Sequence, residues 1–172
     1  KWSGGGRIPI FCDTTSCTHT LLFETGGDIL TPENREKYKQ LKIMDITQWL
    51  KEVVLPRIKV IRPKNRILLH PTCSCQIMGL TPVLLDIARK CAREVILPDN
   101  WGCCGASGDR GFIFPELSDS ATRDERDEIG HESFDGCYSL ARTCEIAMQD
   151  HIEQPYESIV YLVDETIQDQ GT

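Results

Sequence analysis

The sequence predicts an α/β fold, Rossmann-like in its layering, with a mostly parallel sheet and cysteine loops at the strand C-terminal ends. Short apolar runs alternate with stretches of helical periodicity along the chain, the order that yields parallel strands joined by helices. Cys12, Cys73 and Cys103 each fall just after a predicted strand, where sheets of this kind collect ligands. The 172 residues suit one domain able to bury a sizeable core.

Each element has its own signal. Residues 7–11 read as a short buried strand after the stop Gly4-Gly5-Gly6, and residues 16–23 as a helix at its end. Thr31-Pro32 starts a helix, with Thr as N-cap and Pro in the first turn. Ile46, Trp49, Leu50, Val53 and Val54 recur at helical spacing, and Pro56 ends that helix. Residues 65–70 form a second predicted strand, Thr81-Pro82 opens a helix through Ala92, and residues 94–98 form a third strand. A charged, exposed helix is expected over 116–129, a strand over 134–138 and a helix over 143–152. The last helix spans 156–166 with the stripe Ile159, Val160, Leu162 and Val163. Residues 9–17 and 68–75 both run from strand to cysteines, a weak internal echo. No linker separates them, so 1–64 and 65–172 read as two halves of one domain.

Composition narrows the function. An apolar fraction of 40% and a charged fraction of 26% read as soluble and globular. A net charge of −7, with no Lys/Arg run, argues against a nucleic-acid surface. No apolar stretch is long enough to span a membrane and no signal peptide is read, so a cytoplasmic location is expected. The chain opens on Lys1-Trp2-Ser3 without Met, which suggests a fragment of a longer protein. Nine cysteines is an odd count in a chain too large to need disulfide staples. The cysteines therefore point to metal or redox chemistry.

Trp101-Gly102-Cys103-Cys104-Gly105 is the most informative segment. Adjacent side chains diverge, so two neighbouring cysteines do not pack as one unit; two thiolates at one bend can instead grip a multi-iron cluster. Cys73, Cys103, Cys104 and Cys144 make the primary candidate set. Cys144 is expected in the first turn of a helix, where free N–H groups and the dipole favour a thiolate. Four thiolates suffice for an iron–sulfur cluster or a zinc ion. Gly102, Gly105 and Gly108 would leave N–H groups free to donate to sulfur, and Arg110 is expected to pair with Asp109 and brace the loop.

Other residues carry weaker signals. Cys137 or Cys75 could supply a fifth thiolate, Cys12 and Cys17 could join His19 at a zinc site, and Cys91 reads as core. His70 could be a ligand, a donor to a ligand, or a satisfied structural histidine. His131 and His151 read as solvent-facing, and the carboxylates of 124–128 as a solvated helix face. Cys104 to Arg110 also fits C-x5-R, the phosphate loop of cysteine phosphatases. Asp109 beside the arginine, and Gly111 where a Ser or Thr is usual, argue against it.

The segments His70-Pro71-Thr72-Cys73, Trp101 to Gly111 and Arg142-Thr143-Cys144-Glu145-Ile146-Ala147 resemble the cysteine-rich CCG family, which includes the heterodisulfide-reductase B subunit. The likeness is closest to the C-terminal iron–sulfur region of FAD- and iron–sulfur-containing D-lactate dehydrogenases, with counterparts to 112–122 and 156–163. The family carries two tandem motifs. The second matches here, and the first survives only as its end at Cys17, so 1–64 resembles a remnant of the first motif's half. Ala147 stands where the closing Cys-x-x-Cys has its last cysteine. Five-ligand members can hold a noncubane pair of clusters, so four ligands here imply one ordinary [4Fe-4S] cluster.

The resemblance implies an electron-transfer domain of a larger oxidoreductase. It implies FAD and a ferredoxin-like portion elsewhere in the parent chain, and a quinone or cytochrome-type acceptor. A parent peripheral to the inner face of the membrane is compatible with it. No Gly-x-Gly-x-x-Gly follows a predicted strand, so this piece is not expected to bind FAD or to have dehydrogenase activity alone. Two alternatives stay open: a zinc-stabilised or metal-free interaction module, and a thiol/disulfide reductase-like domain.

Overall fold

The structure is a computed structural model, and it describes residues 2–25 and 29–167. Helices and parallel strands alternate, as the sequence predicts. Strands β1 (Ile10–Cys12) and β2 (Ile43–Asp45) pair in parallel as a small sheet. Between them run α1 (Thr15–His19), which continues as a π-helical turn over Thr20–Glu24, and α2 (Pro32–Lys39). Thr31 caps α2 by accepting from the Asn34 N–H. α3 (Ile46–Trp49) follows β2 directly. Asp45 closes a capping box there, accepting from the Thr47 N–H at 2.9 Å while Gln48 Oε1 accepts the Asp45 N–H at 3.1 Å. α3 then widens into a π-helical turn and ends in a 3-10 turn at Pro56.

The larger sheet has four parallel strands in the order β4-β3-β5-β6. β3 (Lys64–Leu69) leads through α4 (Cys73–Ile77) and α5 (Thr81–Cys91) to β4 (Ala92–Ile96). A long loop, α6 (Arg110–Ile113) and α7 (Pro115–Ile129) lead to β5 (Cys137–Ser139). α8 (Arg142–Ile152), β6 (Tyr156–Ser158) and α9 (Ile159–Thr166) complete the fold.

β3 is the centre of the molecule. Ile67, Leu68 and Leu69 are fully buried, and their alternation divides the core because successive strand side chains point to opposite faces. Ile67 and Leu69 enter one cluster with residues of α3 and its π-helical turn, α5 and α9, including Ile46, Leu50, Leu84, Ile87 and Leu162. Leu68 enters a second with Ile129 of α7 and Met148 of α8. Tyr138 and Cys137 of β5 divide in the same way. A sheet covered on both faces explains the continuous apolar run of β3. The first cluster includes Ile46, Leu50 and Leu55, so the N-terminal half shares its core with the C-terminal half.

Several elements differ from the sequence reading. β1 is exposed, with Ile10 38% and Phe11 46% accessible, because it has a partner on one side only. Residues 156–166 divide into β6 and α9, where Ser158 accepts from the Val160 N–H and breaks the strand into a helix. β2, β6 and α4 have no counterpart in the sequence reading; the two strands are three residues long and α4 five. α7 is a charged helix but not an exposed one: Ser118, Thr122, Glu125 and Ile129 form a buried stripe along it. No helix among the described residues is long and apolar enough to cross a membrane.

Candidate metal centre

The strand order reverses beside β3. From β3 the chain passes through α5 to β4 on one side, and from β5 through α8 to β6 on the other. α5 packs in the first core cluster and α8 in the second, on opposite sheet faces. The connections therefore diverge between β3 and β5, the switch point at which sheets of this kind hold ligands. Cys73 lies past β3, Cys103 and Cys104 past β4, and Cys144 past β5. Three adjacent strands deliver the four thiols to one place.

Local chemistry fixes each thiol. Cys73 is the first residue of α4, whose N-cap Thr72 accepts the Cys75 N–H at 3.2 Å. Cys144 is the third residue of α8, which opens at Ala141 without a side-chain cap, so the first-turn N–H groups are left to other partners. Cys103 and Cys104 do not directly follow a strand, because β4 ends at Ile96. Their loop is seated on α7 instead. Gly105 has φ +73°, and a Cβ there would lie 2.6 Å from the Leu117 carbonyl oxygen. Gly111 is as tightly seated, since its Cβ would meet Ser118 Oγ at 2.6 Å. Gly102 meets no such constraint.

The sulfurs are hydrogen-bonded to one another and to the backbone. Cys104 Sγ donates to Cys144 Sγ at 2.9 Å, and the Gly105 N–H donates to Cys103 Sγ at 3.4 Å. Backbone bonds from Ser74 and Ala106 reach Cys73 and Cys104. Hydrogen bonding with Cys104 and Cys73, then with the Gly105 N–H, holds the Cys103 thiol well below its usual range, against the opposing effect of burial. Cys73 and Cys104 are pushed well above it, chiefly because they share hydrogen bonds with Cys103. Cys73 and Cys103 are exposed while Cys104 and Cys144 are buried, so the group is a cup open to solvent.

The donor set suits a soft metal or an iron–sulfur group: four thiols from three loops, with backbone N–H groups aimed at sulfur. Its spacing is that of thiols bonded to one another. A tetrahedral ion bound at ~2.3 Å holds neighbouring sulfurs about 3.8 Å apart, farther than Cys104 stands from Cys144. Among the described residues no group of three or more His, Cys, Asp or Glu stands at metal-holding distances. The thiols suit the group in chemistry but not in spacing, since Cys104 and Cys144 would have to stand farther apart to hold it.

The remaining sequence candidates lie elsewhere or act differently. Cys75 and Cys137 are core residues whose thiols burial pushes up to about 12, and Cys91 is fully buried as expected. Cys12 is half-buried at the end of β1 and Cys17 is exposed on α1, which packs against α4. His19 faces Glu24 at 3.4 Å and lies tilted against the Phe23 ring. Asp109 and Arg110 are both exposed, and no ion pair among the described residues joins them. His131 is exposed; His151 is half-buried, 4.0 Å from Asp119. Glu125, read as solvated, is buried, and its carboxylate meets His70 Nδ1 at 2.9 Å. A buried polar stripe on a charged helix leaves no apolar periodicity to reveal it.

A second feature adjoins the cup. A cleft of about 620 Å³ lies beyond β1, β5 and β6, lined by the stacked pair Phe11 and Trp49, by Arg142 and Glu145 of α8, and by Tyr161. Arg142 and Glu145 form an ion pair at 3.1 Å, flanking Cys144 in sequence.

No family model matches the chain, and no curated protein matches it.

Proposed function

We propose that this chain is an electron-transfer domain that holds one [4Fe-4S] cluster on Cys73, Cys103, Cys104 and Cys144. In this reading it is the C-terminal part of a flavin-dependent 2-hydroxy-acid dehydrogenase of the D-lactate type. FAD and a ferredoxin-like portion belong to the rest of the parent chain, and a quinone or cytochrome-type carrier takes the electrons. The motif resemblance supports the parent enzyme, as it does a cytoplasmic location at the inner face of the membrane. The observation that carries the electron-transfer reading is the meeting of four sulfurs from three adjacent β–α loops at the switch point of the sheet.

When bound, the cluster would supply a one-electron couple. The chain's own part is to place and tune it. Cys104 and Cys144 fix the buried floor of the cup, Cys73 and Cys103 close it from the solvent side, and the Gly105 N–H stabilises charge on sulfur.

Iron, zinc and acid-labile sulfide analysis of anaerobically purified protein tests the reading. The expected result is about four irons and four sulfides per chain, with broad visible absorption that bleaches on reduction. One zinc without sulfide would replace it with a structural metal module. A second reading, thiol–disulfide exchange, draws on the Cys103 thiol held below its usual range and on the close Cys104–Cys144 pair. Metal-free protein in which these thiols oxidise and reduce reversibly would favour it. The isolated chain is expected to reduce no dye with D-lactate.

A further inference from the structure

The cleft beside the cup lies between two copies of one supersecondary unit. β1 and β2 pair in parallel through Ile10↔Ile43, Phe11↔Met44 and Cys12↔Asp45. β5 and β6 pair in parallel through Cys137↔Tyr156, Tyr138↔Glu157 and Ser139↔Ser158. In each unit two residues join the first strand to a helix, Asp13-Thr14 before α1 and Leu140-Ala141 before α8. In each, the second strand runs straight into another helix and its last residue caps that helix. Asp45 accepts the Thr47 N–H, and Ser158 accepts the Val160 N–H. The Thr15 N–H donates to the Leu140 carbonyl at 3.4 Å and ties the two units together. The cleft of about 620 Å³ is lined by both joining segments, by Ile46 just past β2 and by Ser158 at the end of β6. The carboxyl ends of four parallel strands therefore border one cavity. That is where α/β sheets bind ligands, and the volume is that of a small-molecule site.

The lining selects the kind of ligand. One wall is aromatic: Phe11 stacks on Trp49 with centroids 4.6 Å apart and 14° between planes, and Tyr161 adds a ring from α9. Phe11 and Tyr161 are 46% and 57% exposed, while Trp49 is packed against the core. An anchored aromatic pair open to a cavity is a surface on which a flat apolar group stacks. The rest of the lining is charged. Arg142 is 72% exposed and pairs at 3.1 Å with Glu145, whose side chain is 5% exposed, so the guanidinium charge is already matched. Asp13 and Glu157 also line the cleft, and no ion pair among the described residues takes up either carboxylate. The cavity thus carries unmatched negative charge beside electron-rich rings, and both favour a cation.

We propose that this cleft binds a small organic cation with a flat apolar body, an arylalkylamine in chemical class, its ring on the Phe11, Trp49 and Tyr161 wall and its ammonium toward Asp13 and Glu157. The site does not depend on what the cysteine cup holds, since no cysteine lines it. An anion would meet two unmatched carboxylates. Arg142 could serve that anion only by leaving the buried Glu145 without its partner, a costly exchange. A neutral ring would gain the aromatic wall alone.

Calorimetric titration of the full chain with three indoles of one shape tests the proposal: tryptamine, which ends in an ammonium, tryptophol, which ends in a hydroxyl, and indole-3-propionate, which ends in a carboxylate. The expected result is one site per chain, with tryptamine bound about tenfold more tightly than tryptophol and indole-3-propionate weakest. In 15N-labelled protein the Trp49 indole N–H should move on titration, while those of Trp2 and Trp101, outside the cleft, stay fixed. Asp13→Asn combined with Glu157→Gln should bring tryptamine down to the affinity of tryptophol and leave tryptophol unchanged. Both positions are exposed, so the double variant is expected to fold. Phe11→Ala should weaken tryptamine and tryptophol alike. Equal affinity for the three indoles, a preference for the carboxylate, no saturable binding, or a Trp49 resonance that does not move would each overturn the proposal.

Discussion

The two halves of the molecule begin alike and end differently. β1 leads to α1 and on to β2, and β3 leads through α4 and α5 to β4; each half pairs its first two strands in parallel and carries cysteines just past the first strand. In the first half the sheet stops at two strands, β1 is exposed, and no hydrogen bond among the described residues joins Cys12 or Cys17 to another thiol. In the second, β3 has neighbours on both sides and helices on both faces, and the loops of three strands converge. The difference lies in the sheet rather than in the residue types. A cysteine after a strand becomes part of a site when adjacent strands bring it partners across a switch point.

Core substitutions should separate the halves most. Leu68→Ala, in the fully buried centre of β3, is expected to cost about 2–5 kcal/mol, whereas Phe11→Ala on the exposed β1 should cost clearly less. Chemical denaturation of both variants measures the gap, and equal costs would break the comparison. Cys137→Ser should destabilise by about 1–3 kcal/mol by burying a hydroxyl among apolar residues, yet leave iron content unchanged. Gly105→Ala forces a Cβ against Leu117 at a positive φ, and should cost about 1–2 kcal/mol or more together with part of the bound iron. Gly108→Ala, at φ +77° but in open space, should show only the backbone cost.

The smallest effect concerns how β3 is joined to β5. Asp135 accepts from the Asn65 and Arg66 N–H groups, at 2.6 and 3.3 Å, and these bonds hold its carboxyl below its ordinary range. A carboxyl depressed in the folded state adds stability above its unfolded pKa and loses it as pH falls through the folded value. The stability difference between the parent and Asp135→Asn should therefore be present at neutral pH and vanish below the ordinary carboxylate range. A difference that grew on acidification would contradict the assignment.

Much of this was legible in the sequence, for reasons that individual elements show. β3 announced itself by the continuous run at 67–69, and α5 by its Thr81-Pro82 start. The cysteine pattern named the four thiols that the fold gathers, because spacing along a β–α sequence reports which loops share a sheet edge. Cys75 and Cys137 read as weaker candidates for a fifth ligand; strand and helix phase, invisible without boundaries, placed them in the core. β2 and β6, at three residues each, fall below any periodic signal. Glu125 was hidden because its buried stripe is mostly polar, and its meaning depends on His70, distant in sequence. The Asp109–Arg110 bracing pair is not formed among the described residues, where both side chains are exposed and the loop is instead seated on α7 at Gly105 and Gly111.

The most direct test pits the two groups of cysteines against each other. One variant replaces Cys73, Cys103, Cys104 and Cys144 with serine, the other replaces Cys12 and Cys17, and both are reconstituted anaerobically beside the parent chain. Iron and acid-labile sulfide per folded chain are then measured. The account predicts that the first variant loses both while the second matches the parent. Iron and sulfide retained by the first variant, or lost from the second, would contradict it.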